Sequence, residues 1–152
     1  MKKRAIYTDT SVFGGVFNWE FERASRLFFE QVRAGQFSIV TSGLVVGEID
    51  KAPFEVTEWF KSLKPFMEIA PLTEEVYRLA NAYVKAGIVG KGSLTDATHV
   101  AAATVSGSGI IVSWNFRHIV HFEKTPLYNA LNRICGYNEI AICSPQEVIR
   151  YE

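Results

Sequence analysis

Cysteine is scarce. Only two occur in 152 residues, Cys135 and Cys143, too few for a disulfide framework, so the expectation is a cytoplasmic protein with two buried thiols. Net charge is missing too: sixteen lysines and arginines balance sixteen aspartates and glutamates. That balance excludes a broadly basic nucleic-acid binder and leaves room only for a local basic patch. No apolar run approaches the roughly eighteen residues of a membrane span, so no membrane partner is expected. Lys2-Lys3-Arg4 is basic, but Asp9 interrupts the apolar stretch behind it. It reads as a solvated lead-in to a first strand, not as a secretory signal. There is no internal repeat, no low-complexity tract and no linker rich in Pro, Gly or Ser. What is present is ordinary globular material, 48% hydrophobic and 21% charged, enough to give residues 1–152 one domain with its own core.

Strand-like and helix-like segments alternate along the chain. Ala5 to Thr8 is short and β-prone. From Ser11 to Ala34 the residues Phe13, Phe17, Phe21, Ala24, Leu27, Phe28 and Val32 recur at helical spacing, with Gly14-Gly15 and Asn18 splitting the segment and Gly35 closing it. Phe37 to Thr41 predicts a second strand. Ser42 is placed to cap a largely buried helix through Lys51, and Pro53 to open another with Val56, Trp59, Phe60 and Leu63 on one face. A strand over 66–70, a helix from Thr73 and a helix from Ser93 to about Gly107 follow. Gly109 to Trp114 is the most strand-like run, then come a helix over 127–134 and a last strand over 140–143. Ser144-Pro145-Gln146-Glu147 is a helix-start signature. This alternation predicts a parallel sheet covered on both faces.

Open α/β sheets bind ligands at the carboxyl ends of their strands. Asp9 ends the first strand and Asn115 follows the fourth, so both sit on that edge. Asp96 sits early in the helix that starts at Ser93, just before its small, apolar segment Ala97 to Ala103, and Glu48 lies in the apolar stretch Leu44 to Ile49. Each has a purely structural reading: Asp9 as a helix N-cap, Asp96 as the acidic half of a capping box with Ser93, Glu48 paired with a surface arginine or lysine, Asn115 as a turn residue. Together they suggest more. Two carboxylates about 5 Å apart repel by roughly 3 kcal/mol at an effective dielectric near 20. A cluster of them holds either protons or a cation. An all-oxygen set suits Mg²⁺ or Mn²⁺, and the matching chemistry is metal-assisted phosphodiester hydrolysis.

Four segments, in this order, resemble the PIN-domain nucleases, particularly the VapC-like toxin group. They are Tyr7-Thr8-Asp9-Thr10-Ser11, Val46-Gly47-Glu48-Ile49, Thr95-Asp96-Ala97-Thr98-His99-Val100-Ala101 and Ile111-Val112-Ser113-Trp114-Asn115-Phe116-Arg117-His118. The resemblance covers nearly the whole chain. It implies a three-layer α/β/α sandwich around a mostly parallel five-stranded sheet, and metal-dependent cleavage of RNA. Asp9, Asp96 and Glu48 are then the metal ligands, with Asn115 as the fourth site residue, and Ser11 and Arg117 on the substrate side. The family commonly has Asp where this chain has Asn115. The amide adds no negative charge, which favours one tightly held metal, and on this reading Asn115→Asp keeps or raises activity and metal affinity.

The resemblance also implies a small antitoxin partner and a homodimer, for which the apolar helix Pro53 to Leu63 is a candidate surface. His99, one turn after Asp96, reads first as a core histidine. His118 and His121 read as loop residues, Arg23, Arg26 and Arg33 as a solvated helix face, and Phe13, Phe17, Phe21, Phe28 and Trp59 as core or dimer contacts. Two other functions compete. A non-catalytic RNA-binding or regulatory domain rests on Asn115. A haloacid-dehalogenase-type phosphatase wants a second Asp two residues after the first, where Ser11 stands.

Overall fold

Ile6, Tyr7 and Thr8 are all buried, as are Ile110, Ile111 and Val112. Successive strand residues point to opposite faces, so both faces of these strands are covered. The computed structural model, which describes residues 3–151, shows how. Strands β1 (Arg4–Thr8), β2 (Phe37–Ser42), β3 (Met67–Ala70), β4 (Ile110–Val112) and β5 (Ala141–Cys143) form one sheet, order β3-β2-β1-β4-β5, with every neighbouring pair parallel. Helices α1 (Thr10–Gly15), α2 (Glu22–Arg33), α3 (Gly43–Asp50), α4 (Phe54–Ser62) and α8 (Pro145–Val148) pack among themselves. Helix α5 (Glu74–Lys85) packs on α6 (Leu94–Val105) and α7 (Thr125–Ile134). The result is the expected α/β/α sandwich. Lys2 of the basic lead-in lies outside the described residues; Lys3 is exposed and Arg4 begins β1.

Local chemistry sets the boundaries. Gly35 takes φ +84° just past α2, a conformation that costs a residue with a Cβ. Thr73 Oγ1 accepts the Val76 N–H at 3.3 Å to start α5, and Glu147 accepts the Ser144 N–H at 3.0 Å to start α8. Phe66 belongs to a 3₁₀ turn with Lys64 and Pro65, so β3 starts only at Met67. The fourth strand is shorter than its sequence: β4 ends at Val112, the Ser113 N–H still bonds Cys143 O of β5 at 3.0 Å, and the Trp114 N–H turns away to Ser11 Oγ.

Three expectations are corrected here. Cys135 is exposed at the end of α7 and Cys143 is half-buried on the edge strand β5, so neither thiol is buried in the core. On α3 only Val45 and Ile49 are buried, because one side of the helix looks outward. The apolar face of α4 is mostly not a free surface: Val56, Phe60 and Leu63 are turned into the core, where Phe60 packs edge-on against Phe13 at 5.0 Å between ring centres, and Phe54 at the helix start stays exposed.

Gly15 is closely packed by its neighbours. A Cβ there lies 2.6 Å from Ser25 Oγ and 2.8 Å from Trp114 Nε1, two atoms that already bond each other at 2.9 Å. Gly15→Ala is therefore expected to destabilise the fold by about 1–3 kcal/mol through overpacking. Urea unfolding measures this; an unchanged midpoint contradicts the packing described.

Candidate active site

Strand order reverses between β1 and β4: β2 and β3 extend to one side of β1, β4 and β5 to the other. The crevice beyond the carboxyl ends of these two strands is the topological switch point, where such sheets bind ligands. Asp9 follows β1 there, and Ser113 to Asn115 follow β4. Helix α6 brings Asp96 in its first turn, and α3 brings Glu48.

These side chains are joined by hydrogen bonds. Asp9 is buried and takes three: the Ser11 N–H at 3.1 Å and the Ser11 hydroxyl at 2.6 Å on Oδ1, and the Ser113 hydroxyl at 2.7 Å on Oδ2. Ser11 Oγ in turn accepts the Trp114 N–H at 2.9 Å, and Ser113 Oγ the Asn115 N–H at 2.9 Å. The Asn115 side chain donates from Nδ2 to Asp96 Oδ1 at 2.8 Å. Glu48 Oε1 accepts from Thr10, the neighbour of Asp9, at 2.7 Å and from His99, one turn past Asp96, at 2.9 Å. A continuous path thus links Asp96, Asn115, Ser113 and Asp9, and Thr10 and His99 tie Glu48 to both ends of it.

Each carboxylate meets donors rather than another carboxylate. Burial pushes Asp9 above its ordinary range, against the pull of nearby His99 and of the Ser11 and Ser113 hydrogen bonds. Glu48 moves the other way. Burial raises it, but the hydrogen bonds from His99 and Thr10 outweigh that and hold it below the usual carboxylate range. Among the described residues, Asp96 Oδ2 and Glu48 Oε2 have no protein hydrogen-bond partner. No three His, Cys, Asp or Glu side chains among the described residues come close enough to enclose an ion. The two carboxylate oxygens left over, Asp96 Oδ2 and Glu48 Oε2, are the donors that Mg²⁺ or Mn²⁺ takes when it keeps most of its waters.

No protein-family model and no curated protein matches the sequence. Solved structures do. FitAcB from Neisseria gonorrhoeae aligns with a TM-score of 0.58 at 14% identity, over 94% of this chain and 99% of that one. VapC20 from Mycobacterium tuberculosis, described as a sarcin–ricin-loop-cleaving toxin, aligns with a TM-score of 0.57 at 14% identity, over 90% of this chain and 98% of that one. VapBC2 from Rickettsia felis, solved bound to a DNA fragment from its promoter, aligns with a TM-score of 0.54 at 16% identity, over 74% of this chain and 89% of that one. The chain has the PIN-domain fold.

Of the purely structural readings, those of Asp9 and Asn115 hold on this PIN fold and those of Asp96 and Glu48 do not. Asp9 does cap α1, through Ser11 N–H, and still lies at the switch point. Asn115 does make a turn: its Oδ1 accepts the Arg117 N–H at 3.2 Å and the His118 N–H at 2.9 Å. That commits the amide oxygen and aims the NH₂ at Asp96. Ser93 makes no side-chain cap, so Asp96 is not half of a capping box. The partner of Glu48 is His99, not a surface arginine or lysine. Ser11 gives its one proton to Asp9, so it supports that carboxylate. Arg117 is exposed on the loop after Asn115. Arg26 pairs with Glu22 at 3.1 Å, and Arg33 donates to Ser62 at 2.7 Å. Both guanidinium groups stack over Trp59.

Thr10, Ser113 and Tyr7, which bonds His99, were not singled out as site residues from the sequence. Hydroxyls at strand ends are common, and nothing in the spacing separates these from turn residues. The Asn115 amide adds a stability consequence to the expectation for Asn115→Asp. Asn115→Asp sets a carboxylate where Asp96 now accepts a hydrogen bond, and is expected to destabilise the metal-free protein by about 1–3 kcal/mol. Mn²⁺ recovers that loss by neutralising the pair. Urea unfolding in EDTA and in Mn²⁺ measures both; equal stability to wild type in EDTA contradicts the contact.

Proposed function

We propose that the protein is a Mg²⁺- or Mn²⁺-dependent endoribonuclease and the toxin of a type II toxin–antitoxin pair. The observation that carries this reading is the hydrogen-bonded path joining Asp9, Asn115 and Asp96, with Glu48 attached, at the switch point of a PIN sheet. The carboxylates are fixed before any substrate arrives, which is the preorganisation that phosphoryl chemistry rewards. Asp9 is held by three donors and anchors the site. Asp96 and Glu48 each keep one oxygen for a cation or a water. Bound there, Mg²⁺ or Mn²⁺ supplies Lewis-acid stabilisation of the charge that builds up on the phosphate oxygens. Glu48 Oε2 accepts a hydrogen of the attacking water and so aligns it. Arg117 meets a neighbouring phosphate from the exposed loop.

The partner in this reading is a small antitoxin protein that covers the acidic site, and the likeness to VapBC2 and FitAcB supports it. The description of VapC20 as a sarcin–ricin-loop-cleaving toxin supports RNA as the substrate. A homodimer in the cytoplasm belongs to the same reading. Among the described residues no helix is long and apolar enough to cross a membrane.

Purified protein is expected to cleave single-stranded RNA in Mn²⁺ or Mg²⁺. One observation favours a second reading, an RNA-binding domain without catalysis: the fourth position offers neither a carboxylate nor a free amide oxygen. RNA bound in a polarisation assay yet left intact in Mn²⁺ decides for that alternative.

A further inference from the structure

Ser42 stands in the N-cap position of α3 and makes no capping bond with its side chain. Serine at that position ordinarily satisfies a helix N–H, so its hydroxyl is employed elsewhere. It lies 2.8 Å from the Tyr7 hydroxyl, which lies 3.0 Å from His99 Nδ1, and His99 Nε2 lies 2.9 Å from Glu48 Oε1. Ser42, Tyr7 and His99 are all buried, and Glu48 is at the solvent boundary.

The direction of this chain follows from its end. A carboxylate only accepts, so His99 Nε2 carries a hydrogen and donates it. In the neutral imidazole Nδ1 is then the acceptor, so Tyr7 donates its hydroxyl hydrogen to it and Ser42 donates to Tyr7. Both donors to Glu48, His99 and Thr10, converge on the same oxygen, Oε1. That fixes the rotation of the carboxylate and leaves Oε2 as its one free oxygen. The chain also begins at the residue that starts α3 and ends on the acid that α3 carries. It passes through β1 beside Asp9 and through α6 one turn from Asp96.

We infer that His99 is the positioning residue of Glu48, with Tyr7 and Ser42 fixing the imidazole tautomer that lets it hold Oε1 and present Oε2 to the cation or the attacking water. The inference rests on the nuclease reading for what Oε2 does, and on these contacts alone for how it is held. Partners of this kind are worth about 10–100-fold in metal affinity or activity.

The test compares two amides. His99→Gln places an NH₂ near the position of Nε2; His99→Asn places it near Nδ1. His99→Asn is expected to lower kcat and Mn²⁺ affinity by about 10–100-fold with RNA KM little changed, and His99→Gln to recover most of both. Urea unfolding of the two variants, measured alongside, separates this from a loss of fold. In the metal-free wild type, long-range ¹H–¹⁵N NMR is expected to show His99 protonated at Nε2 and bare at Nδ1. A proton on Nδ1, equal losses in the two amide variants, or losses that follow unfolding alone overturn the inference. A wild type that binds Mn²⁺ but never cuts RNA overturns the nuclease reading instead. The inference is then decided by the NMR tautomer and by Mn²⁺ affinity in the two variants.

Discussion

Replacing Asp96 by Asn is expected to slow RNA cleavage at least ~100-fold, a loss of about 2.7 kcal/mol of transition-state stabilisation. The variant isolates charge. Asp96 is half-buried and accepts one hydrogen bond, from Asn115 Nδ2, on an oxygen that asparagine retains. Fold and stability should therefore stay near wild type while the negative charge disappears. Asp9→Asn is expected to lose at least as much activity, and stability besides. Its two carboxylate oxygens face three donors. An amide offers one acceptor oxygen and turns its NH₂ toward a group that donates, a mismatch worth about 1–3 kcal/mol. Single-turnover cleavage and urea unfolding on both variants read the two effects separately. An Asp96→Asn protein that folds as wild type and cuts RNA at full rate removes Asp96 from the site.

Removing the cation should have the largest effect of all. With EDTA in excess, cleavage is expected to fall to background, because in this reading the cation stabilises the charge that builds up on the phosphate oxygens. The same cation should stabilise the fold, since the carboxylates are assembled only in the native state. At a concentration 100 times its Kd, Mn²⁺ contributes about 2.7 kcal/mol. For a domain of this size that raises Tm by about 5–10 °C. Asp96→Asn should lose most of that rise. Cleavage that persists in EDTA, or a Tm indifferent to Mn²⁺, contradicts the cation's role.

The alternation of elements was legible because buried parallel strands are short apolar runs and the helices carry their starts with them, as at Thr73 and Ser144. Asp9 and Asn115 could be placed on one edge from strand position alone. Asp96 and Glu48 needed the resemblance, since periodicity does not tell which helix lies beside which strand end. What the sequence hid is what side chains do at that edge. Ser113 and Trp114 read as strand; in the structure the Ser113 hydroxyl bonds Asp9 and Asn115, and the Trp114 N–H leaves the sheet for Ser11. His99 reads as a core histidine, and it is one, but its ring is satisfied by Glu48 and Tyr7. Asn115 reads as a weakened ligand; its oxygen is tied into the turn and its NH₂ holds Asp96. The thiols of Cys135 and Cys143 were misplaced because burial at a helix end or on an edge strand depends on what packs over it, which composition does not reveal.

Anomalous diffraction from a crystal soaked in Mn²⁺ tests the central claim most directly. The account predicts one strong manganese peak in the crevice beyond β1 and β4, within coordinating or water-bridged distance of Asp9, Glu48 and Asp96. A crystal that takes up no manganese there, or holds it only on other surfaces, contradicts it.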